Sequence, residues 1–236
     1  MAKGRIWELD ALRGACVLGM VIVHFIFDLV ELYGLVKWEY PLLFSFMTNW
    51  GGVAFLLISG ICATLGSRCV RRGLIVLGCG MLVTAVTAGM YLLGMADAGI
   101  IIWFGVLHCL GVCMASWHFL QKLPTPALGL LGVAMAAAGF RINTLRADTP
   151  YFIWLGLTTP TFSTPDYFPL LPYLGFFLLG TVLGRTIYRR KQSLLPKANV
   201  HNPIIRFCTL CGKHSLIIYL AHQPVLSLLI MLFAKL

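Results

Sequence analysis

The chain has 236 residues, 59% of them apolar and only 11% charged, and a formal net charge of +10. That balance excludes a water-soluble globule and points to an integral membrane protein. The positive charge would suit nucleic acid only if it formed one basic surface; its spread along the chain has another explanation, given below.

A helix needs about 20 apolar residues to cross a hydrocarbon core of roughly 30 Å. Segments 11–32, 42–65, 74–94, 100–120, 127–140, 170–187 and 215–233 approach that length. The expected fold is therefore all-α, a polytopic membrane helical bundle of about seven transmembrane helices, forming a single domain over residues 1–236. The first segment lacks the small-residue cleavage pattern of a signal peptide, so it is expected to remain as a membrane helix. The second follows Pro41 and contains Trp50, Gly51 and Gly52, where a break is expected. The fifth is short, and the apolar piece 151–157 after it is expected to dip into the membrane without crossing. The strip "TPYFIWLGLTTPTFSTPDYFPLLP" holds Pro150, Pro160, Pro165, Pro169 and Pro172, which remove backbone donors and disfavour helix before them. Irregular backbone at membrane depth is tolerated where protein or a water-filled cavity surrounds it, so this strip is expected to border a cavity.

With the N-terminus inside and seven crossings, Lys3, Arg5, Arg13, Arg68, Arg71, Arg72, Lys122, Arg185, Arg189, Arg190, Lys191, Lys197, Arg206 and Lys213 all fall on the cytoplasmic side. Only Lys37, Arg141, Arg146 and Lys235 fall outside. That bias matches the positive-inside rule, so the charge reports topology and no nucleic-acid partner is expected. Of the eight cysteines, Cys16, Cys62, Cys79, Cys109 and Cys113 lie within apolar segments, where a thiol behaves as a small hydrophobe, and no disulfide framework is expected.

Ionisable side chains inside a span are costly and mark a functional hypothesis. The first segment carries Arg13, His24 and Asp28. His24 and Asp28 are four residues apart and share a helix face, which suits Asp28 to orienting the imidazole. Arg13 and His24, eleven residues apart, return to within about 20° of one direction, separated by roughly 16 Å along the axis. Arg13 then stands at the cytoplasmic mouth with His24 deep inside. His108 lies about 12 Å into a helix entering from outside, at a depth where it could meet His24, and His222 falls near the middle of the last segment. Cys208 and Cys211, with His201 and His214, form only a loosely spaced zinc set, and no metal is expected. The last segment has no lysine in its interior for a retinal Schiff base, and no Walker or Rossmann loop is present.

With these residues in place, the chain resembles the transmembrane acyltransferase superfamily. "LDALRGACVLGMVIVH" fits the R-x10-H signature of the acyltransferase-three family, with Arg13 and His24 in the marked positions, and "GGVAFLLISG" is similar to the span that follows. The closer likeness is to small bacterial membrane proteins related to the catalytic domain of heparan-alpha-glucosaminide N-acetyltransferase. "FGVLHCLGV", "DYFPLLPYLGFFLLG" and "GKHSLIIYLAHQPV" resemble its later blocks. The chain departs from the lysosomal enzyme in being shorter, with fewer spans and no lumenal domain, and in carrying His24 where an asparagine is expected.

The resemblance implies a multi-pass protein of the cell (inner) membrane that moves an acyl group, acetyl in the first instance, from cytoplasmic acyl-CoA to an amine or hydroxyl of a sugar-like acceptor, with transfer across the membrane as an option. Acetyl-CoA or another acyl-CoA is the implied co-substrate. The lipid bilayer, the acyl-CoA and a saccharide or other small acceptor are the implied partners, with a homo-oligomer left open. The residues suit such chemistry. Arg13 would hold nucleotide phosphates. His24, poised by Asp28, would be the general base, and His108 would stabilise the oxyanion or relay the proton. Asp166 and Tyr167 would contact the acceptor, while Ser215 and His222 complete the chamber. Two other readings use the same residues: a proton-coupled transporter with the buried histidines and aspartate as a relay, and a structural protein whose polar groups serve helix packing.

Overall fold

A computed structural model describes residues 6–197 and 200–234; Lys3, Arg5 and Lys235 of the charge argument lie outside them. Among the described residues there are eight α-helices and no strand, only the isolated bridges Phe104↔Tyr167 and Arg146↔Thr158. The helices are α1 (Trp7–Phe27), α2 (Leu42–Leu65), α3 (Cys69–Leu92), α4 (Val106–Leu120), α5 (Thr125–Ile142), α6 (Leu170–Thr186), α7 (Pro203–Lys213) and α8 (Ser215–Ala234). Five are long and apolar enough to cross a membrane: α1 with its π-helical extension to Leu32, and α2, α3, α5 and α8; α4 and α6 are apolar but shorter. Leu42 and Leu92, 88% and 80% exposed, sit on helices whose outward faces are largely apolar, as a hydrocarbon solvent permits and water does not.

Two expectations change. α2 runs unbroken through Gly51 and Gly52. The fourth helix starts at Val106, because the apolar residues before it are extended: the Ile101 carbonyl accepts from the Thr164 hydroxyl at 2.8 Å and the Ile102 N–H donates to the Thr87 hydroxyl at 3.2 Å. The basic connection after α6, which no apolar segment covers, contains α7; Asn202 caps it by accepting from the Ile204 N–H at 2.9 Å, and Pro203 occupies its first turn. The proline strip is irregular as expected, with a short 3-10 turn at Pro150–Phe152.

The chain divides into two compact units. The first comprises residues up to Phe55 and from Arg190 onward, so α1, the start of α2, α7 and α8. Its tightest packing is α1 on α7, where a methyl at Gly14 would collide with the Cys208 carbonyl and one at Gly212 with the Asp10 carbonyl. The second, Leu56–Arg189, holds the rest of α2 and α3 to α6, packed as the pairs α3·α4 and α5·α6. Gly60 and Gly180 let α2 and α6 approach until backbone touches backbone, the small-residue contact by which helices associate in lipid.

Candidate functional site

In the first unit the polar residues of α1 are met by α8. Arg13 donates from Nη2 to Ser215 Oγ at 3.3 Å, and its guanidinium lies 5.9 Å from the Phe55 ring centre. Farther along α1, His24 and His222 stack edge to face with ring centres 4.9 Å apart. His222 donates from Nδ1 to the Tyr219 carbonyl at 2.5 Å, which assigns the neutral ring's lone pair to Nε2. Asp28, 1% exposed, accepts from Gln223 Nε2 on both oxygens, at 3.1 and 2.9 Å.

Asp28 keeps the phase of α1, its N–H donating to the His24 carbonyl. It begins a π-helical stretch, Asp28–Leu32, whose wider turn is closed by the Tyr33 N–H on the Asp28 carbonyl at 2.8 Å. Such bulges re-phase a helix and are found frequently at functional sites. Here the carboxylate is held by Gln223 of α8, and the neighbour of the His24 ring is His222. The i, i+4 spacing of His24 and Asp28 describes a shared face, but the hydrogen bonds of Asp28 run across to α8.

The same stripe carries orphaned polar atoms. Arg13 Nε, His222 Nε2 and Gln223 Oε1 are buried without a hydrogen-bond partner. Unpaired buried groups are uncommon in native folds and costly, about 1–3 kcal/mol each, unless something else satisfies them. Their chemistry differs along the stripe: an unused donor on a cation at the Arg13 end, two unused acceptors at the His222 end.

His108, Asp166 and Tyr167 belong to the second unit. His108 is 3% exposed with both ring nitrogens engaged: Nδ1 accepts from the Gly105 N–H at 3.2 Å, and Nε2 lies 3.2 Å from Thr84 Oγ1, which itself donates to the Ile102 carbonyl at 2.5 Å. That chain of donors fixes the Nε2–H tautomer and ties the start of α4 to α3. Asp166 Oδ2 accepts from the Val106 N–H at 3.1 Å, placing a carboxylate at the N-terminus of α4, where the helix dipole favours it. Tyr167 donates to the Ile153 carbonyl at 2.7 Å and pairs with Phe104 through the backbone bridge. Burial pushes its phenol up to about 12, against the opposing pull of Arg146.

Of the residues singled out from sequence, Arg13 and Ser215 are thus in contact, as are His24 and His222, while Asp28 is joined to Gln223. Gln223 was missed; its signal was present, an amide directly after His222 inside an apolar helix. His108, Asp166 and Tyr167 form a second group that orders the start of α4 and the connection before α6. Cys208 and Cys211 lie on α7, Cys211 buried, and all eight cysteines are free thiols.

An apolar multi-helix chain with a stripe of paired and orphaned polar groups inside its spans is a multi-pass membrane protein built around a polar site. The family model of heparan-alpha-glucosaminide N-acetyltransferase, catalytic, matches residues 5–224, and the chain belongs to that family. Its function is membrane acetyltransferase-like in this broad sense. No curated protein and no solved structure matches the chain.

Proposed function

We propose that the protein transfers an acyl group, acetyl in the first instance, from cytoplasmic acyl-CoA to an amine or hydroxyl of a sugar-like acceptor, within the inner (cell) membrane and as a single catalytic domain. The observation that carries this reading is the polarity of the orphaned atoms along α1 and α8: Arg13 Nε at one end, His222 Nε2 and Gln223 Oε1 at the other. An anionic group satisfies the first and an N–H or O–H donor satisfies the second pair. A phosphorylated thioester donor and a nucleophile carrying a proton have those properties. The separation of Arg13 and His24 along α1, roughly 16 Å, is comparable with an extended acyl-pantetheine arm.

In this reading Arg13, steadied by Ser215, binds donor phosphates by charge-assisted hydrogen bonds. His24 and His222 stand where the proton leaves the nucleophile as the new acyl bond forms. His222 is suited to the base role, since its Nδ1–H is committed to the Tyr219 carbonyl and its Nε2 lone pair is unused. Asp28 acts through Gln223, whose Nε2 it holds while Oε1 is left as an unpaired acceptor. His108 and Asp166 serve as positioning residues for α4, and Tyr167 for the connection leading into α6. The test is calorimetric binding of acetyl-CoA to purified protein, comparing wild type with Arg13→Ala and His24→Ala. Saturable binding, weakened by the arginine change and kept by the histidine change, is the expected result. Absence of binding to folded protein of acetyl-CoA and longer acyl donors would transfer the same residues to the proton-relay reading.

A further inference from the structure

Helix α7 has only 11 residues, about 16 Å of helix, too short to cross a bilayer. It joins α8 through His214 alone, so its C-terminal end is held where a membrane helix begins. Its inner side is fastened to α1 twice. Gly14 and Gly212 bring the two backbones into contact, and Glu8 accepts from the Ser193 hydroxyl at 2.8 Å and the Leu194 N–H at 2.7 Å, fixing the chain that leads into α7. Buried Cys211 and Gly212 mark that inner face.

The outer side is therefore set, and it is apolar. Phe207 and Leu210, 55% and 54% exposed, define a sector about 60° wide around the helix, and Ile204, 73% exposed, adds apolar surface in the first turn, on the far side of the direction taken by buried Cys211. Arg206 and Lys213, both exposed, stand together at the edge of that sector next to Leu210. Between residues 190 and 214 the chain also has Arg190, Lys191 and Lys197, and no acidic residue at all. An amphipathic helix with an uncovered apolar sector, a cationic edge and no negative charge is complementary to an anionic lipid leaflet, with acyl chains meeting the sector and headgroup phosphates the edge.

We propose that α7 is an in-plane interfacial helix that binds anionic phospholipid, taking headgroup phosphates on Arg206 and Lys213 and acyl chain on Ile204, Phe207 and Leu210. A second protein would also cover an apolar sector, but five cations with no acidic residue among residues 190–214, at a membrane boundary, select the lipid. The full-length protein in nonionic detergent is titrated with dioctanoyl phosphatidylglycerol, dioctanoyl phosphatidylcholine or glycerol phosphate, reading the unfolding midpoint and, by native mass spectrometry, lipid retention. Phosphatidylglycerol should bind saturably and raise the midpoint, while the other two do neither. Arg206→Gln/Lys213→Gln should weaken that binding about 30-fold, a factor of about five for each cation, and Phe207→Ser should weaken it while leaving the midpoint without lipid unchanged. Equal response to the zwitterionic lipid, response to glycerol phosphate alone, or unchanged affinity in the variants would each overturn the proposal. So would a large midpoint loss in lipid-free Phe207→Ser, which would show the sector to be packed against protein.

Discussion

Asp28 is a carboxylate with 1% exposure whose oxygens both accept from one amide, Gln223 Nε2, across 195 residues of sequence. Removing Gln223 therefore leaves a buried acidic group unsatisfied, whereas removing Asp28 leaves only a neutral amide without its partner. A hydrogen bond to a charged group is worth about 1.5–3 kcal/mol, and an orphaned buried polar group costs about 1–3 kcal/mol, more when charged. Gln223→Leu should thus cost about 3 kcal/mol, Asp28→Leu about half as much, and the double variant less than the sum of the two. The expected coupling is about 2 kcal/mol. It can be measured as a double-mutant cycle on reversible unfolding in mixed micelles, with increasing mole fraction of sodium dodecyl sulfate as denaturant. Distant, independent sites add within about 0.5 kcal/mol. Additivity at that level, or a larger cost for Asp28→Leu than for Gln223→Leu, would refute the clamp and with it the reason for assigning Gln223 to the site.

Asp166 is expected to behave as a helix cap: Asp166→Ala should lower stability by about 1 kcal/mol and Asp166→Asn by less, both read as unfolding midpoints, with acetyl-CoA binding unchanged. A selective loss of acceptor binding in Asp166→Asn without a change in stability would restore the acceptor-contact role. His108→Leu should cost more than Asp166→Ala, because it orphans the buried Gly105 N–H and also removes the donor to Thr84 Oγ1, which keeps only its own bond to the Ile102 carbonyl, about 2 kcal/mol in the same assay. The Tyr167 phenol, raised from 10.0 to about 12 mainly by burial, favours the folded state fully below about pH 10 and loses that contribution as pH rises through about 12. Tyr167→Phe should accordingly flatten the fall in unfolding midpoint between pH 10 and 12; an unchanged alkaline limb would contradict the burial of that hydroxyl.

The parts of this fold that were legible are those that depend on one helix at a time. Long apolar runs define α1, α2, α3, α5, α6 and α8 to within a few residues, because membrane solvation acts on composition over about 20 residues. The start of α4 was misplaced because Ile100, Ile101 and Ile102 are as apolar as any helix, yet Ile100 ends a short 3-10 turn, Ala98–Ile100, and Ile101 and Ile102 are tied by hydrogen bonds to Thr164 and Thr87 on other elements. Helix α7 was hidden by its charge: only 11 residues long, it falls below the window on which hydropathy works, although Asn202 and Pro203 spelled out its first turn. The site divides the same way. A histidine or aspartate in an apolar helix announces that it has a polar partner, and helical periodicity puts Arg13 and His24 on one side of α1, where each has a neighbour on α8. Periodicity carries no information about which other helix supplies the partner. Depth arithmetic offered His108 and His222 equally to His24; packing within the first unit brought His222, together with Ser215 and Gln223, against α1. His108 meanwhile has both nitrogens committed to Gly105 and Thr84. The inference from buried charge to function thus gains its force from atoms that remain unsatisfied after packing, and on that criterion His222 and Gln223 have a stronger claim on the reacting group than His108.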